Sequence, residues 1–131
     1  MIHIGEEKMK NVVVFGGGTG LSHILKGLKL FPVNVTAIIS VSDNGSSTGI
    51  LKKELNIPAI GDIGTVMTSM ANTNDDVKKL LKYRFKNGSL ENHAVKNFLL
   101  AAMYDIKGNL TDAIEVLCNL LDIKGTILPI S

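Results

Sequence analysis

A run of glycines between an apolar segment and a helical pattern is the feature of this chain best suited to binding chemistry. Residues 12–15 are apolar and rich in β-branched Val, three glycines follow, and helical apolar spacing begins at Leu21. This order predicts a buried strand, a tight turn and a helix start. The N–H groups of such a turn, with the helix dipole, favour a bound phosphate. The residues predicted to bind it are Gly16, Gly17, Gly18, Thr19, Gly20 and Leu21.

The glycine run matches neither common nucleotide motif. Leu21 stands where the dinucleotide pattern needs its third glycine, and no Gly-Lys-Ser/Thr follows as in a P-loop. A plain strand–helix turn would also use glycine for its backbone angles. Three consecutive glycines exceed what such a turn requires, so anion binding is the favoured interpretation.

A second polar loop, residues 43–49, carries a carboxylate, an amide and three hydroxyls. Asp43 is placed to hydrogen-bond a ribose or to hold a divalent cation beside a diphosphate, and it is the one metal candidate. A cluster of helix-capping residues is the alternative, because Ser, Asn and Asp all cap well. The ligand-binding residues predicted in this loop are Asp43, Asn44, Gly45 and Ser46.

Three polar residues further along the chain are candidates for the same site. Asp62 precedes an apolar helical pattern, where it is equally suited to cap the helix. His93 and Asn97 are four residues apart on a predicted helix, so they share a face that is offset from the apolar stripe. The alternative to a role in the site is that this polar face is simply solvated. Asp43, Asp62 and His93 are the catalytic candidates if the protein is an enzyme.

The elements that position these residues form a βαβ unit. The pattern predicts strands over residues 11–15 and 33–41, with a helix over 20–30 that ends before Pro32. Crossovers between parallel strands are nearly always right-handed, so both strands end at the same sheet edge. The two polar loops should therefore lie side by side, in the crevice where open α/β sheets bind ligands. The predicted fold is α/β, a Rossmann-like parallel sheet flanked by helices.

Beyond residue 49 the chain is mostly helical. A short segment over 50–55 precedes helices starting near Asp62, Asn74, Glu91 and Thr111, and residues 126–130 form a possible third strand. Two or three strands would leave several apolar helix faces without a partner. Residues 11–131 are therefore predicted to be the N-terminal part of a larger nucleotide-binding domain, or to find the missing surface in a homo-oligomer. The helix faces predicted to be buried are Ile63, Val66, Met67 and Met70; Val77, Leu80, Leu81 and Phe85; Val95, Phe98, Leu99, Ala102 and Met103; and Ile114, Leu117, Cys118 and Leu121.

Composition narrows the class of protein. The chain of 131 residues is 45% hydrophobic with a net charge of +2, which suits one globular domain and gives no reason to expect nucleic acid. No apolar run approaches the length of a membrane span. Residues 1–10 lack the apolar centre of a signal peptide and are predicted to be a flexible leader. A lone cysteine, Cys118, suits a reducing cytoplasm.

Taken in order, these motifs resemble those of the bacterial gluconeogenesis-factor family. Members of that family are similar to 2-phospho-L-lactate transferase, CofD, and are therefore called CofD-like. The resemblance covers nearly the whole chain from Asn11 onward. The ordered set is specific, although each motif alone is weak. It consists of residues 16–22, 35–39, 42–49 and 61–63, then Tyr83-Arg84-Phe85, His93 and Asn97.

The resemblance implies binding of a nucleotide diphosphate compound. In the gluconeogenesis-factor branch this is a UDP-sugar, and the protein regulates cell shape and cell-wall precursors during growth on non-sugar carbon. In the transferase branch, a magnesium-assisted enzyme transfers a phosphorus-containing group to a deazaflavin precursor. The resemblance leaves open whether this chain is an enzyme, with binding favoured because Asn44 stands beside Asp43 where a second acid is usual. A degenerate domain without binding is the third alternative.

The chain also departs from the family pattern. Gly64 and Thr65 stand where the family usually has Arg and Asn, and Ile50 where it often has a basic residue. Ser46 and Lys96 each replace a glycine. Loss of a cation beside a diphosphate costs a charge-assisted hydrogen bond of roughly 1.5–3 kcal/mol. Lys96 would restore one charge if its side chain reaches the site.

Overall fold

Three parallel strands form the sheet in the computed structural model, which describes residues 9–40 and 61–130. The strands are β1 (Lys10–Gly16), β2 (Val33–Ser40) and β3 (Thr126–Ile130), in the order β1-β2-β3. Val12 pairs with Val35, and Ala37 pairs with Ile127. The two predicted strands and the possible third one are confirmed.

Five helices accompany the sheet in the described part of the chain. They are α1 (Gly18–Leu28), α2 (Gly61–Met70), α3 (Asp75–Lys82), α4 (Val95–Lys107) and α5 (Leu110–Leu120), with a 3-10 turn at Gly88–Leu90. The predicted helical segment over 50–55 lies outside the described residues. No helix among those described is long and apolar enough to cross a membrane.

One face of the sheet carries the core. Val35, Ala37 and Ile39 of β2 are buried with Ile127 of β3 against apolar residues of all five helices. Strands that follow one another in a single direction, joined by right-handed crossovers, place their connecting helices on the same face. The other face is uncovered within the described residues, where Phe15 is 69% exposed. The helices also pack on one another, α1 on α2 and α4 on α5. Exposed apolar residues remain on helices, such as Ile106 and Leu120, as well as on the open face of the sheet.

Capping side chains begin α3 and α5 close to the starts predicted near Asn74 and Thr111. Asn74 caps α3 through a hydrogen bond from the backbone N–H of Val77 at 2.9 Å. Asn109 caps α5 by accepting from the N–H of Asp112 at 2.9 Å. Gly108 ends α4 in the left-handed conformation with φ of 83°, which glycine adopts without strain. These caps account for the close agreement of the predicted and observed starts.

Two predicted helix faces are wrong in part. Leu80 is 58% exposed, although Leu81 beside it is fully buried. On α4 the buried residues are Asn97, Leu100 and Ala101, whereas Leu99 and Ala102 are exposed. The buried stripe of α4 is rotated relative to the predicted one because Asn97 packs against α2, where Gly64 leaves room. The helix also begins at Val95 and not near Glu91.

Candidate functional site

The glycine turn lies at the carboxyl end of β1. Gly17 has an extended backbone with φ of −122° and ψ of 164°, and α1 begins directly after it at Gly18, two residues before the predicted start. As the N-cap residue, Gly17 offers no side chain to the first N–H groups of the helix, and the first turn holds no acidic residue. A helix start whose N-cap residue supplies no side chain, after a glycine turn, is a place where proteins bind anions.

Leu21 holds the turn from the core side. Its backbone N–H donates to the carbonyl of Gly17 at 3.3 Å, and its side chain is 3% exposed within the core. A Cβ on Gly16 would lie 3.5 Å from the Cβ of Leu21, an ordinary contact. Of the six residues predicted here, Leu21 therefore serves as the anchor of the turn.

The Asp62 carboxylate lies against the same turn. A Cβ placed on Gly17 would be only 2.9 Å from Oδ2 of Asp62. Asp62 lies in the first turn of α2, which begins at Gly61, and not at the N-cap position predicted for it. Helices α1 and α2 therefore begin side by side at one edge of the sheet, which brings Asp62 to the glycine turn.

The side chain of Lys96 packs over Gly64, which has no side chain of its own. A Cβ on Gly64 would lie 3.2 Å from Cγ and from Cδ of Lys96. Burial lowers the pKa of the Lys96 ammonium, the charge of Arg84 lowers it further, and the charge of Asp62 opposes both. The missing cation at position 64 is thus replaced by a lysine that reaches the same region from α4.

Asn97 is almost fully buried beside that lysine. Its side chain is 2% exposed, and its Oδ1 would lie 3.2 Å from a Cβ on Gly64. Within the described part of the chain Oδ1 accepts no hydrogen bond. The polar, solvated face predicted as the alternative for His93 and Asn97 is wrong, because both residues are buried.

His93 precedes α4 in a short paired loop. Its carbonyl accepts from the N–H of Phe85 at 3.2 Å, and its ring lies 5.6 Å from that of Phe98. The guanidinium of Arg84 donates to the carbonyl of Asn92 at 2.5 Å in the same loop. The sequence motif at 83–85 and His93 are therefore one structural unit, with Arg84 on the side opposite the aromatic contacts of Tyr83 and Phe85.

The structure does not describe the second polar loop, residues 43–49. Its candidates lie outside the described residues, so their ribose and metal roles stay predictions: Asp43, Asn44, Gly45 and Ser46, with Ile50. Across residues 9–40 and 61–130, no group of three His, Cys, Asp or Glu side chains could hold a metal ion. Asp62 alone is too small a donor set for magnesium, which is bound with several oxygens.

The sequence analysis missed three cations that the fold brings near Lys96. Lys26 of α1, Lys82 of α3 and Arg84 line one cavity with it. They come from three distant parts of the chain, so only the helix packing brings them together. The sequence held two signals: Lys26 lies four residues after Ser22, which also lines the cavity, and Arg84 belongs to the motif at 83–85.

Comparison with known proteins agrees with this geometry. Residues 12–131 match the family model described as 2-phospho-L-lactate transferase CofD. The chain belongs to the CofD family. Its described α/β architecture is that of the family's solved relatives, one of which is a protein member of the UPF0052 family from Bacillus halodurans. That structure is 46% identical and superimposes with a TM-score of 0.91 over 94% of this chain and 40% of its own.

Curated proteins similar to this chain carry the name gluconeogenesis factor. The protein from Halalkalibacterium halodurans is 46% identical over 125 residues, which is 95% of this chain and 39% of that protein. The protein from Bacillus subtilis is 42% identical over 90% of this chain and 38% of its own length. The resemblance to this family is confirmed, and the chain spans about two fifths of the relatives it matches.

Proposed function

We propose that this chain binds a nucleotide diphosphate compound, a UDP-sugar, at the start of α1. The single observation that carries the proposal is the close approach of the Asp62 carboxylate to Gly17, at a helix start whose N-cap residue has no side chain. The backbone of residues 16–20 would hold the phosphates, and Asp43 would hydrogen-bond the ribose. Asp62, His93 and Asn97 would line the far wall.

The charges of Asp62 and Lys96 at the start of α1 support a ligand that is anionic and also carries hydroxyl groups. A carboxylate beside bound phosphate is unfavourable unless a cation balances it. Lys96 supplies that cation, since its charge interacts with Asp62. A carboxylate is also a good acceptor for ribose or sugar hydroxyls, which a UDP-sugar carries. A magnesium ion held by Asp43 would balance the charge in the transferase alternative.

In the cell we propose the role of a gluconeogenesis factor, a cytoplasmic regulator of cell shape and carbon metabolism. The curated names of the relatives support this role. The chain spans only 39% of the length of the first of these relatives, so the role of the whole protein is proposed for this chain. Regulation by binding is favoured over magnesium-dependent transfer because Asn44 stands beside Asp43 where a second acid is usual.

Thermal melting with three additions tests the proposal. Ligand at 100 times its Kd stabilises the folded state by about 2.7 kcal/mol, which raises Tm by several degrees. We expect UDP-N-acetylglucosamine to raise Tm, and GDP with magnesium to raise it less. The reverse order would favour the transferase alternative, and no shift with either would favour a domain without binding.

A variant in the turn checks the place of binding. Gly18→Val puts a branched side chain at the first residue of α1, where the phosphate would lie. We expect the Tm shift with UDP-N-acetylglucosamine to disappear. A shift of unchanged size in a folded variant would remove the glycine turn from the site.

A further inference from the structure

A second polar cavity lies beside the proposed nucleotide site. It has a volume of about 230 Å³ and is bounded by α1 and α2, by the end of α3 and by Arg84 and Lys96. Four of its lining side chains are cations, Lys26, Lys82, Arg84 and Lys96, and the others that line it are hydroxyl residues. None of the described residues that line the cavity is a carboxylate, although the charge of Asp62 acts on Lys96 from outside the lining.

The hydroxyls on the floor of the cavity are set as acceptors. Thr68 donates its hydroxyl hydrogen to the carbonyl of Gly64 at 2.8 Å, and Ser69 donates to that of Val66 at 2.8 Å. Thr65 donates to the carbonyl of Gly61 at 3.1 Å. With each hydrogen engaged inside α2, the oxygen lone pairs remain for donors in the cavity.

The cavity therefore combines cationic donors at its rim with neutral acceptors on its floor. A phosphate fits the rim, because lysine and arginine form short, charge-assisted hydrogen bonds with it. Sugar hydroxyls fit the floor, because they can donate to hydroxyl oxygens whose own hydrogens are occupied. A volume below the roughly 300–1,000 Å³ of sites for drug-sized ligands suits one sugar ring with its phosphate.

We propose that this cavity binds a sugar phosphate, with its phosphate at Lys26, Lys82, Arg84 and Lys96. The same chemistry has two sources. One is a free sugar phosphate that binds next to the nucleotide, and the other is the sugar-phosphate end of the UDP-sugar itself. Binding of a free sugar phosphate does not depend on the nucleotide site, whereas the second source rests on the proposed function.

Calorimetric titration with glucose 6-phosphate tests the proposal. We expect the chain to bind it at millimolar concentrations, more weakly as salt increases, and not to bind glucose. The double variant Lys26→Gln, Lys82→Gln should weaken binding at least tenfold. Both lysines are exposed, so the variant should fold normally.

Matched control variants separate a site from a general effect of charge. Lys79→Gln with Lys107→Gln removes the same charge from exposed lysines that do not line the cavity, and its affinity should be unchanged. Equal affinity of both double variants, or no binding by the native chain, would overturn the proposal. Neither result would alter the Tm shift expected with UDP-N-acetylglucosamine, so the two proposals fail separately.

Two further measurements locate the ligand and identify its source. An anion in the cavity should raise the depressed pKa of Lys96, followed by NMR of its side chain, whereas a phosphate bound elsewhere should leave it unchanged. Saturation with UDP-N-acetylglucosamine should leave the affinity for glucose 6-phosphate intact if a separate metabolite occupies the cavity. Competition between the two would show that the nucleotide itself fills it.

Discussion

At the scale of single residues, Gly17 decides where the Asp62 carboxylate can lie. A Cβ on residue 17 would lie only 2.9 Å from Oδ2 of Asp62, so any side chain there would collide with the carboxylate. The backbone angles of Gly17 are open to every residue type, so a turn alone would not require glycine there. The absence of a side chain therefore serves the close approach of the carboxylate.

Gly17→Ala should weaken nucleotide binding without unfolding the protein. The new methyl group would turn the Asp62 carboxylate away from the helix start, and we expect affinity for UDP-N-acetylglucosamine to fall about tenfold, about 1.4 kcal/mol. Calorimetric titration measures the change. Gly27→Ala is the control, because a Cβ there meets nothing within 4 Å; it should leave affinity unchanged. Equal affinities in the two variants would exclude Asp62 from the site.

Cys118 gives a prediction for stability against pH. Burial, and then the nearby charge of Glu115, raise the pKa of the thiol from its ordinary 9.0 to about 11. Between these values the unfolded chain loses the proton while the folded chain keeps it, so the free energy of unfolding should decrease as pH rises from 9.0 to about 11. Urea denaturation across that interval measures the decrease. Cys118→Ala should remove this part of the slope, and an identical slope would contradict the assignment.

At the scale of elements, the entry into β3 depends on a glycine that the sequence pattern did not single out. Gly125 has φ of 145°, and a Cβ there would lie 2.7 Å from the carbonyl oxygen of Val35 in the neighbouring strand. Glycine is therefore required both for its backbone angle and for the close approach of two strands. Gly108, in contrast, has a positive φ but open space around it.

Gly125→Ala should destabilise the fold more than Gly108→Ala. Backbone strain and the clash with β2 together should cost about 2–6 kcal/mol. Gly108→Ala carries only the left-handed penalty of about 1–2 kcal/mol. Midpoints of urea unfolding give the comparison. Similar losses in the two variants would show that β3 can move away from Val35 at little cost.

At the scale of the whole molecule, the described sheet buries one face and exposes the other. Val13 is 54% exposed, Phe15 69%, Leu128 41% and Ile130 49%, and the strand register places them on the same face. Contiguous apolar surface of this kind marks an interaction surface. Strand counting predicts that this missing cover comes from the rest of a larger domain or from a homo-oligomer, and for this chain by itself we expect self-association through the open face.

Polar substitution on the open face should reduce self-association. Val13→Thr with Phe15→Thr places two β-branched residues in β1, so the fold should persist while the association constant falls at least tenfold. Sedimentation velocity over a range of concentrations measures it. Leu30→Thr, at an 85% exposed residue in the turn after α1, is the control and should not change association. Unchanged association of the double variant would place the contact elsewhere.

The sequence was sufficient for the features that depend on neighbours along the chain. The β1–turn–α1–β2 unit, the caps at Asn74 and Asn109 and the third strand follow from local patterns of apolar, glycine and capping residues. Only the tertiary structure decided which side chains meet. The contact of Asp62 with Gly17, the path of Lys96 over Gly64 and the burial of Asn97 depend on how α2 packs between α1 and α4. Hydrophobic spacing fixes which face of a helix is apolar, but the missing side chain at Gly64 lets a polar residue take a buried position, and no periodicity within α4 contains that information.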